Sequence, residues 1–347
     1  MALTIQEIFE QALAHNASDV HLMVGKRPVF RIDGVLVETD GAALAQRDIE
    51  AMLMKMINTA QRERFTKDLD LDFSFAINSA RFRVNASLER GNFTIVARVI
   101  PSIIPSFQDL EIPEVVGDLI QGHSGLILVT GPTGSGKSTT LASIIERINN
   151  EHAVNIVTFE DPIEFLFTTK RALIRQREYG SDMHTFADGL KHVLRQDPNV
   201  IMVGEMRDPE TVAATLTLAE TGHLVLSTLH TPSAAQAVDR IIDVFPPYQQ
   251  NQIRSQLALT LKAVVAQQLL PKQGGGRIAA REVLINIPAV ANLIRENKVA
   301  QIPNVMQTHG TGGMFNFDTN LRELVSTGMI TGEVAEAFKS RTSDDGI

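Results

Sequence analysis

Residues Gly131-Pro132-Thr133-Gly134-Ser135-Gly136-Lys137-Ser138 follow the spacing G-x-x-x-x-G-K-[ST], a loop that cradles phosphate. Glycines there let successive backbone N–H groups converge on phosphate oxygens. The motif is framed by the apolar run Leu126-Ile127-Leu128-Val129-Thr130 and by a helix-like segment from Ser138 to Arg147. A helix beginning at that point aims the positive end of its dipole at the same anion. The implied chemistry is binding of ATP, with Lys137 reaching the β- and γ-phosphates, Ser138 ligating Mg²⁺ and Thr139 in the same cradle.

Acidic residues stand where two further apolar runs end. Val203-Gly204-Glu205 closes one, and Glu205 is expected to face Mg²⁺ or its waters. Asn155–Phe159 leads into Glu160-Asp161-Pro162-Ile163-Glu164, where Pro162 stiffens the turn. A carboxylate there can orient or deprotonate an attacking water. Gly222-His223 opens a third run and His230-Thr231 closes it. His230, beside Thr228 at the carboxyl end, has the position of a γ-phosphate sensor, and His223 at the other end reads equally as a functional residue or as a satisfied core or surface histidine.

These residues need a rigid scaffold. From Asn155 onward the runs 155–159, 200–204 and 223–228 are continuously apolar and separated by helical stretches, as in a parallel sheet covered on both faces. The first hundred residues read differently. After a helical face of Ile5, Ile8, Phe9, Ala12 and Leu13, the segments 19–24, 28–32, 71–76, 80–84 and 94–99 alternate like half-buried strands. Asp33-Gly34 reads as a hairpin turn, and a helix runs from Asp48 to about Ile57. Pro101 and Pro105 mark a connector. The expected domains are therefore 1–100, an α+β unit; 101–113, a linker; and 114–347, a nucleotide-binding α/β unit. The latter begins with a short helix near 113–120, has a strand at Arg281–Ile285, and ends in a helical region from about 287 with helices near 289–297, 320–326 and 331–340.

Composition narrows the partners. The chain has 347 residues, 44% of them hydrophobic, and a net charge of -8 without a long basic run, which argues against nucleic acid as the main ligand. There is no cysteine, which excludes disulfides and thiolate zinc sites, and the nine histidines do not cluster at ligand spacing. Neither a secretory leader nor a membrane-length apolar stretch is present, so a cytoplasmic location is expected.

Gly131–Ser138, Glu160–Glu164, Gly204-Glu205-Met206-Arg207-Asp208 and Thr221–Thr231 resemble the Walker A, Asp, Walker B and His boxes of secretion ATPases, and within them the type IV pilus retraction ATPases of the PilT/PilU family. The resemblance extends to 17–22, 81–85 and 293–296 and covers nearly the whole chain. It implies a PAS-like N-terminal domain, a RecA-like P-loop ATPase domain with C-terminal helices, and a homohexamer. The implied activity is Mg²⁺-dependent ATP hydrolysis between the two domains, driving pilus retraction and twitching motility. It assigns Glu164 as catalytic base and Glu205 as the Walker B residue, and calls for N-terminal arginines on the phosphates. Arg83 and Arg98, with Arg81 nearby, are the best placed. Implied partners are an inner-membrane pilus platform protein, other pilus base components and a paralogous retraction ATPase, with peripheral attachment to the inner membrane through them. Extension and type II secretion relatives usually carry a four-cysteine insert and a long extra N-terminal domain, whose absence favours retraction. An accessory retraction ATPase or a secretion or DNA-uptake ATPase is the alternative. One departure stands out: Ala291 occupies the place of the first arginine in the family's Ala-Ile-Arg-Asn-Leu-Ile-Arg-Glu run.

Overall fold

A computed structural model describes residues 3–344 except 33, 79, 101–102, 123 and 309–311, without the side chains of 340–344. By its internal contacts the chain forms two units, Met1–Ile103 with Pro162–Leu166, and Ile104–Asp161 with Phe167–Ile347.

The N-terminal unit contains helices α1 (Ile5–Ala14), α2 (Gln46–Met56) and α3 (Thr59–Asp68). Its strands are β1 (Asp19–Leu22), β2 (Val29–Ile32), β3 (Val35–Glu38), β4 (Asp70–Ile77), β5 (Ala80–Glu89) and β6 (Asn92–Ile100), in the order β3-β2-β1-β6-β5-β4. All pairings are antiparallel. Alternation decides the two faces. Phe82, Val84, Ala86, Ile95, Ala97, Val20 and Leu22 are fully buried in one core with Ile8 and Phe9 of α1 and Ile49 and Leu53 of α2. Thr4 and Glu7 form a capping box that starts α1. On the opposite face, register places Arg83, Arg98, Asp19 and Arg31 side by side across four strands. Strand β3, exposed along its length, carries no alternation and is not foreseen by pattern. Gly34 turns the β2–β3 hairpin at φ 83°, while Asp33 of the expected turn lies outside the described residues.

The second unit is built on a seven-stranded sheet. Its strands are β7 (Gly125–Thr130), β8 (Asn155–Glu160), β9 (Leu173–Glu178), β10 (Val200–Val203), β11 (Leu224–Leu229), β12 (Leu261–Pro271) and β13 (Arg277–Ile285). The order is β13-β12-β7-β11-β10-β8-β9, parallel except for the antiparallel β12–β13 pair. Helices α4 (Glu114–Ile120) and α5 (Lys137–Glu151) cover one face. The other is covered by α6 (Phe186–Val193), α7 (Pro209–Glu220), α8 (Ala234–Asp243), α9 (Pro247–Thr260) and α10 (Pro288–Arg295). The chain continues through α11 (Ile302–Thr308), α12 (Phe317–Ser326) and α13 (Gly332–Asp344). Covering both faces explains why β7, β10 and β11 are buried at every residue.

Part of the stretch read as a linker is core. Phe107 and Ile112 are buried in the second unit, and Arg147 of α5 lies over the Phe107 ring at 4.6 Å. Pro101 lies outside the described residues. The strand expected at Arg281–Ile285 begins four residues earlier, at Arg277.

Candidate active site

The phosphate loop links β7 to α5. Gly136 closes it at φ 86° as the N-cap of α5, and Gly131 opens it at φ 145°. A Cβ on Gly131 would meet the Gln267 carbonyl at 2.2 Å, so only glycine fits between the loop and β12. The loop is fastened by the Gln267 side chain, which is almost wholly buried. Its Nε2 donates to the Ser135 carbonyl at 2.7 Å, and its Oε1 accepts from Thr140 Oγ1 at 2.9 Å. Pro132, Thr133 and Gly134 form the exposed tip, and Ser138 and Thr139 are half-buried on the first turn of α5.

Lys137 is buried beneath this loop. Its Nζ donates to the carbonyls of Gly131 at 2.9 Å and Pro132 at 3.1 Å, and stands 3.5 Å from His230 Nδ1. An ammonium is only a donor, so His230 accepts at Nδ1 and carries its proton on Nε2. That nitrogen faces Glu205 Oε1 at 3.3 Å. The other carboxylate oxygen takes Arg207 Nη2 at 2.8 Å, and Arg207 reaches toward Asp161 at 3.9 Å. Burial pushes the Glu205 pKa up, but the Arg207 hydrogen bond and charge, with His230, outweigh it and hold the carboxyl below the usual range. Lys137, His230 and Glu205 thus connect the ends of three neighbouring strands, β7, β11 and β10. Thr228 Oγ1 donates to the Gly204 carbonyl at 2.5 Å, fixing β11 against the turn that carries Glu205.

The other residues singled out from sequence are placed as follows. Glu160 is buried and turned into the sheet, where Thr158 Oγ1 and Gln176 Nε2 donate to it at 2.6 and 3.0 Å. Glu164 is exposed, in the segment Pro162–Leu166 that belongs with the N-terminal unit. His223 holds the turn between α7 and β11 through the Leu218 carbonyl at 3.0 Å. In the N-terminal unit, Arg98 Nε donates to Asp19 Oδ1 at 2.8 Å, whereas Arg83 is exposed and has no partner among the described residues. Ala291 is buried on α10 beside Val290 and Ile294.

Next to the loop lies a cavity of about 320 Å³. Gly136 and Thr139 form the end next to the loop, and Leu110, Leu269, Ile278 and Ala279 give it apolar walls. Sequence reading missed this cavity, and it missed Gln267. Among the described residues, no group of three or more His, Asp or Glu could hold a metal ion by itself. The Ser138 hydroxyl, without a protein partner among the described residues, and the Glu205 carboxylate are the hard oxygen donors that Mg²⁺ prefers when phosphates supply the rest.

A family model for type II/IV secretion system proteins matches residues 1–330. The chain is 44% identical to the type IV pilus retractation ATPase PilT of Pseudomonas aeruginosa, over 96% of this chain and 97% of that one. The chain belongs to the PilT family of type II/IV secretion ATPases. This PilT-family ATPase is also 36% identical to the type IV pilus ATPase PilU of the same organism, over 99% of its own length and 90% of PilU. A crystal structure of the pilus retraction motor PilT with bound ADP superposes with a TM-score of 0.90 at 44% identity, covering 96% of each chain. The PilT-family fold, a RecA-like ATPase unit preceded by an N-terminal domain and ending in helices, is therefore that of this chain. No helix among its described residues is long and apolar enough to cross a membrane.

Proposed function

We propose that this chain is a Mg²⁺-dependent motor that retracts type IV pili by hydrolysing ATP, working as a homohexamer on the cytoplasmic side of an inner-membrane pilus platform. The observation that carries the reading is the connected series Lys137–His230–Glu205 at the ends of three parallel strands, beside a glycine loop. Charge developing on a transferring phosphoryl group needs donors held in advance at such a place. The triphosphate lies in the loop from Gly131 to Thr139, and its base and ribose occupy the adjoining cavity. Lys137, now on the Gly131 and Pro132 carbonyls, turns to the β- and γ-oxygens. Ser138 and, through water, Glu205 would hold Mg²⁺, which neutralises phosphate charge when bound. His230 senses the γ-phosphate. Glu164 accepts the proton of the attacking water as its oxygen bonds to the γ-phosphorus and the bridging oxygen leaves with ADP. Arg83 and Arg98 of the N-terminal unit neutralise the phosphates, so loss of the γ-phosphate releases that unit and changes its angle to the next.

Ala291 favours a second reading, an accessory retraction ATPase of the PilU kind acting with a principal paralogue. The buried Ala291 of α10 stands where the sequence resemblance expects an arginine. Two measurements test the proposal. Lys137→Ala and Glu164→Gln should each lower steady-state turnover by about a thousandfold or more. Near-wild-type ATPase in both removes the site assignment. A deletion strain should be piliated and non-twitching, restored by the wild type and not by Lys137→Ala. Loss of pili would point to extension instead.

A further inference from the structure

The segment that walls the cavity is held more firmly than an exposed connector requires. At its start, Ser106 N and Oγ donate to Asp109 Oδ2 at 2.9 and 2.7 Å, and Asp109 N donates back to Ser106 Oγ at 3.1 Å. At its end, Glu111 sits at φ 50°, a left-handed conformation that a residue with a Cβ seldom adopts. Arg281 of β13 holds it there. Its Nη1 donates to the Glu111 carbonyl and its Nη2 to the Leu110 carbonyl, both at 2.8 Å, with the residue only 3% exposed. A planar guanidinium fork can serve two successive carbonyls at once, which a lysine ammonium does with far less fixed geometry. Lys272 adds an ion pair to Glu111 at 3.3 Å. Burial pushes the Arg281 pKa down to about 10 despite the opposing pull of Glu111, so the fork remains charged at neutral pH.

Register links this fork to the phosphate loop. Arg281 lies directly opposite Gln267 in the β12–β13 pair, and residues so paired share a face of the sheet. Gln267 fastens the phosphate loop, Arg281 fastens the 110–111 turn, and both line the cavity between them. We propose that Arg281 is a positioning residue for nucleotide selection: by pinning the Leu110 and Glu111 carbonyls it fixes the wall against which base and ribose pack, leaving the grip on the phosphates to Lys137 and the loop. This rests on the nucleotide reading of the site above.

The test uses the full chain and three readouts: steady-state ATP hydrolysis, preference for ATP over CTP, and inhibition by magnesium tripolyphosphate, which has phosphates but no base. Arg281→Gln should raise KM for ATP about tenfold with a much smaller change in kcat, and should flatten the ATP preference. Its tripolyphosphate inhibition constant should stay at the wild-type value. Arg281→Lys should recover part of the loss. Asp109→Ala, which loosens the same wall from its exposed end, should shift KM in the same direction by about threefold and decides the matter if Arg281→Gln does not fold. Unchanged KM and nucleotide preference in both variants would overturn the proposal, as would a tripolyphosphate constant that rises in step with KM. If those results came with an inactive Lys137→Ala, the nucleotide reading would survive and only the role of Arg281 would fall. If the wild type were not inhibited by tripolyphosphate and Lys137→Ala kept its turnover, both would fall.

Discussion

The two sheets carry their charged residues in opposite ways. In the seven-stranded sheet the central strands β7, β10 and β11 are buried at every position and carry no charged residue, and a buried mid-strand charge occurs further out, at Arg281 of β13, where two carbonyls accept from it. The proposed site collects where those strands stop, at Gly131–Ser138, Glu205 and His230. The six-stranded sheet has a charged face, and it holds Arg83, Arg98, Asp19 and Arg31 in the middle of its strands, next to one another. The buried central strands of the parallel sheet place charge by topology, at their ends, while the antiparallel sheet places it by register. A residue at a buried strand end is tied into several elements at once. One on the charged face answers mostly to its cross-strand neighbour. Substitutions in the first set should therefore cost chemistry, and stability as well where the residue is buried, as Lys137 and Ser135 are, and those in the second should mostly tune.

The sharpest challenge to that contrast is Gln267→Leu. It leaves the buried Ser135 carbonyl and Thr140 hydroxyl without their partner, and should destabilise by about 2–4 kcal/mol and weaken ATP binding at least about tenfold. Urea unfolding and nucleotide titration check it, and a change within about 0.5 kcal/mol would mean that the loop does not depend on β12. Next comes His230→Ala, which separates Lys137 from Glu205. Turnover should fall by about a hundredfold, with stability nearly unchanged because His230 is substantially exposed. A smaller effect distinguishes the two arginines of the charged face. Arg83→Ala should lower kcat by about tenfold without altering the unfolding midpoint, since Arg83 has no partner to lose among the described residues. Arg98→Ala should change both, because Asp19 loses its nearest cation.

The smallest effect is a pH dependence. Burial works to raise the Asp19 pKa, but hydrogen bonds from Arg98 and Ser18 prevail and hold it below the usual carboxylate value. A carboxyl with a depressed folded pKa contributes stability above its unfolded pKa, about 3.9, and loses that contribution as pH falls through the folded value. Asp19→Asn should therefore be less stable than wild type near neutrality and converge with it in acid. The difference should be under about 1 kcal/mol, discounted because the Arg98 side chain is 70% exposed. Unfolding curves that stay parallel at every pH would assign the Asp19 pairing no energetic role.

Strong local periodicity was the legible part of the fold. The buried runs of β7, β10 and β11, and the alternation of β5 and β6, stand out because burial on both faces or on one imposes a pattern along a few residues. The strands that escaped lack that pattern. β9, Leu173-Ile174-Arg175-Gln176-Arg177-Glu178, is a polar edge strand whose identity depends on pairing with β8. β12 follows α9 without a break, and Lys262, Gln267 and Gln268 interrupt its apolar run. Within the site, Lys137, Glu205 and His230 were legible because each sits at the end of a recognisable strand, and the boxes appear in one order along the chain. Glu164 stands out in sequence as an acid after an apolar strand, whereas its grouping with the N-terminal unit was not legible there.

From sequence alone came the phosphate loop, the acids and histidine at the strand ends, the change of period near residue 100 and the likeness to retraction ATPases. All are properties of neighbours along the chain. Tertiary structure alone decided that Gln267 fastens a loop 132 residues away, that Lys137 meets His230 across 93 residues, and that Arg281 holds carbonyls 170 residues upstream. A buried glutamine or arginine looks the same in sequence whatever it bonds to. Its partner is chosen only when strand order and register bring distant segments to hydrogen-bonding distance, where leaving the polar group unpaired would cost more than making the contact.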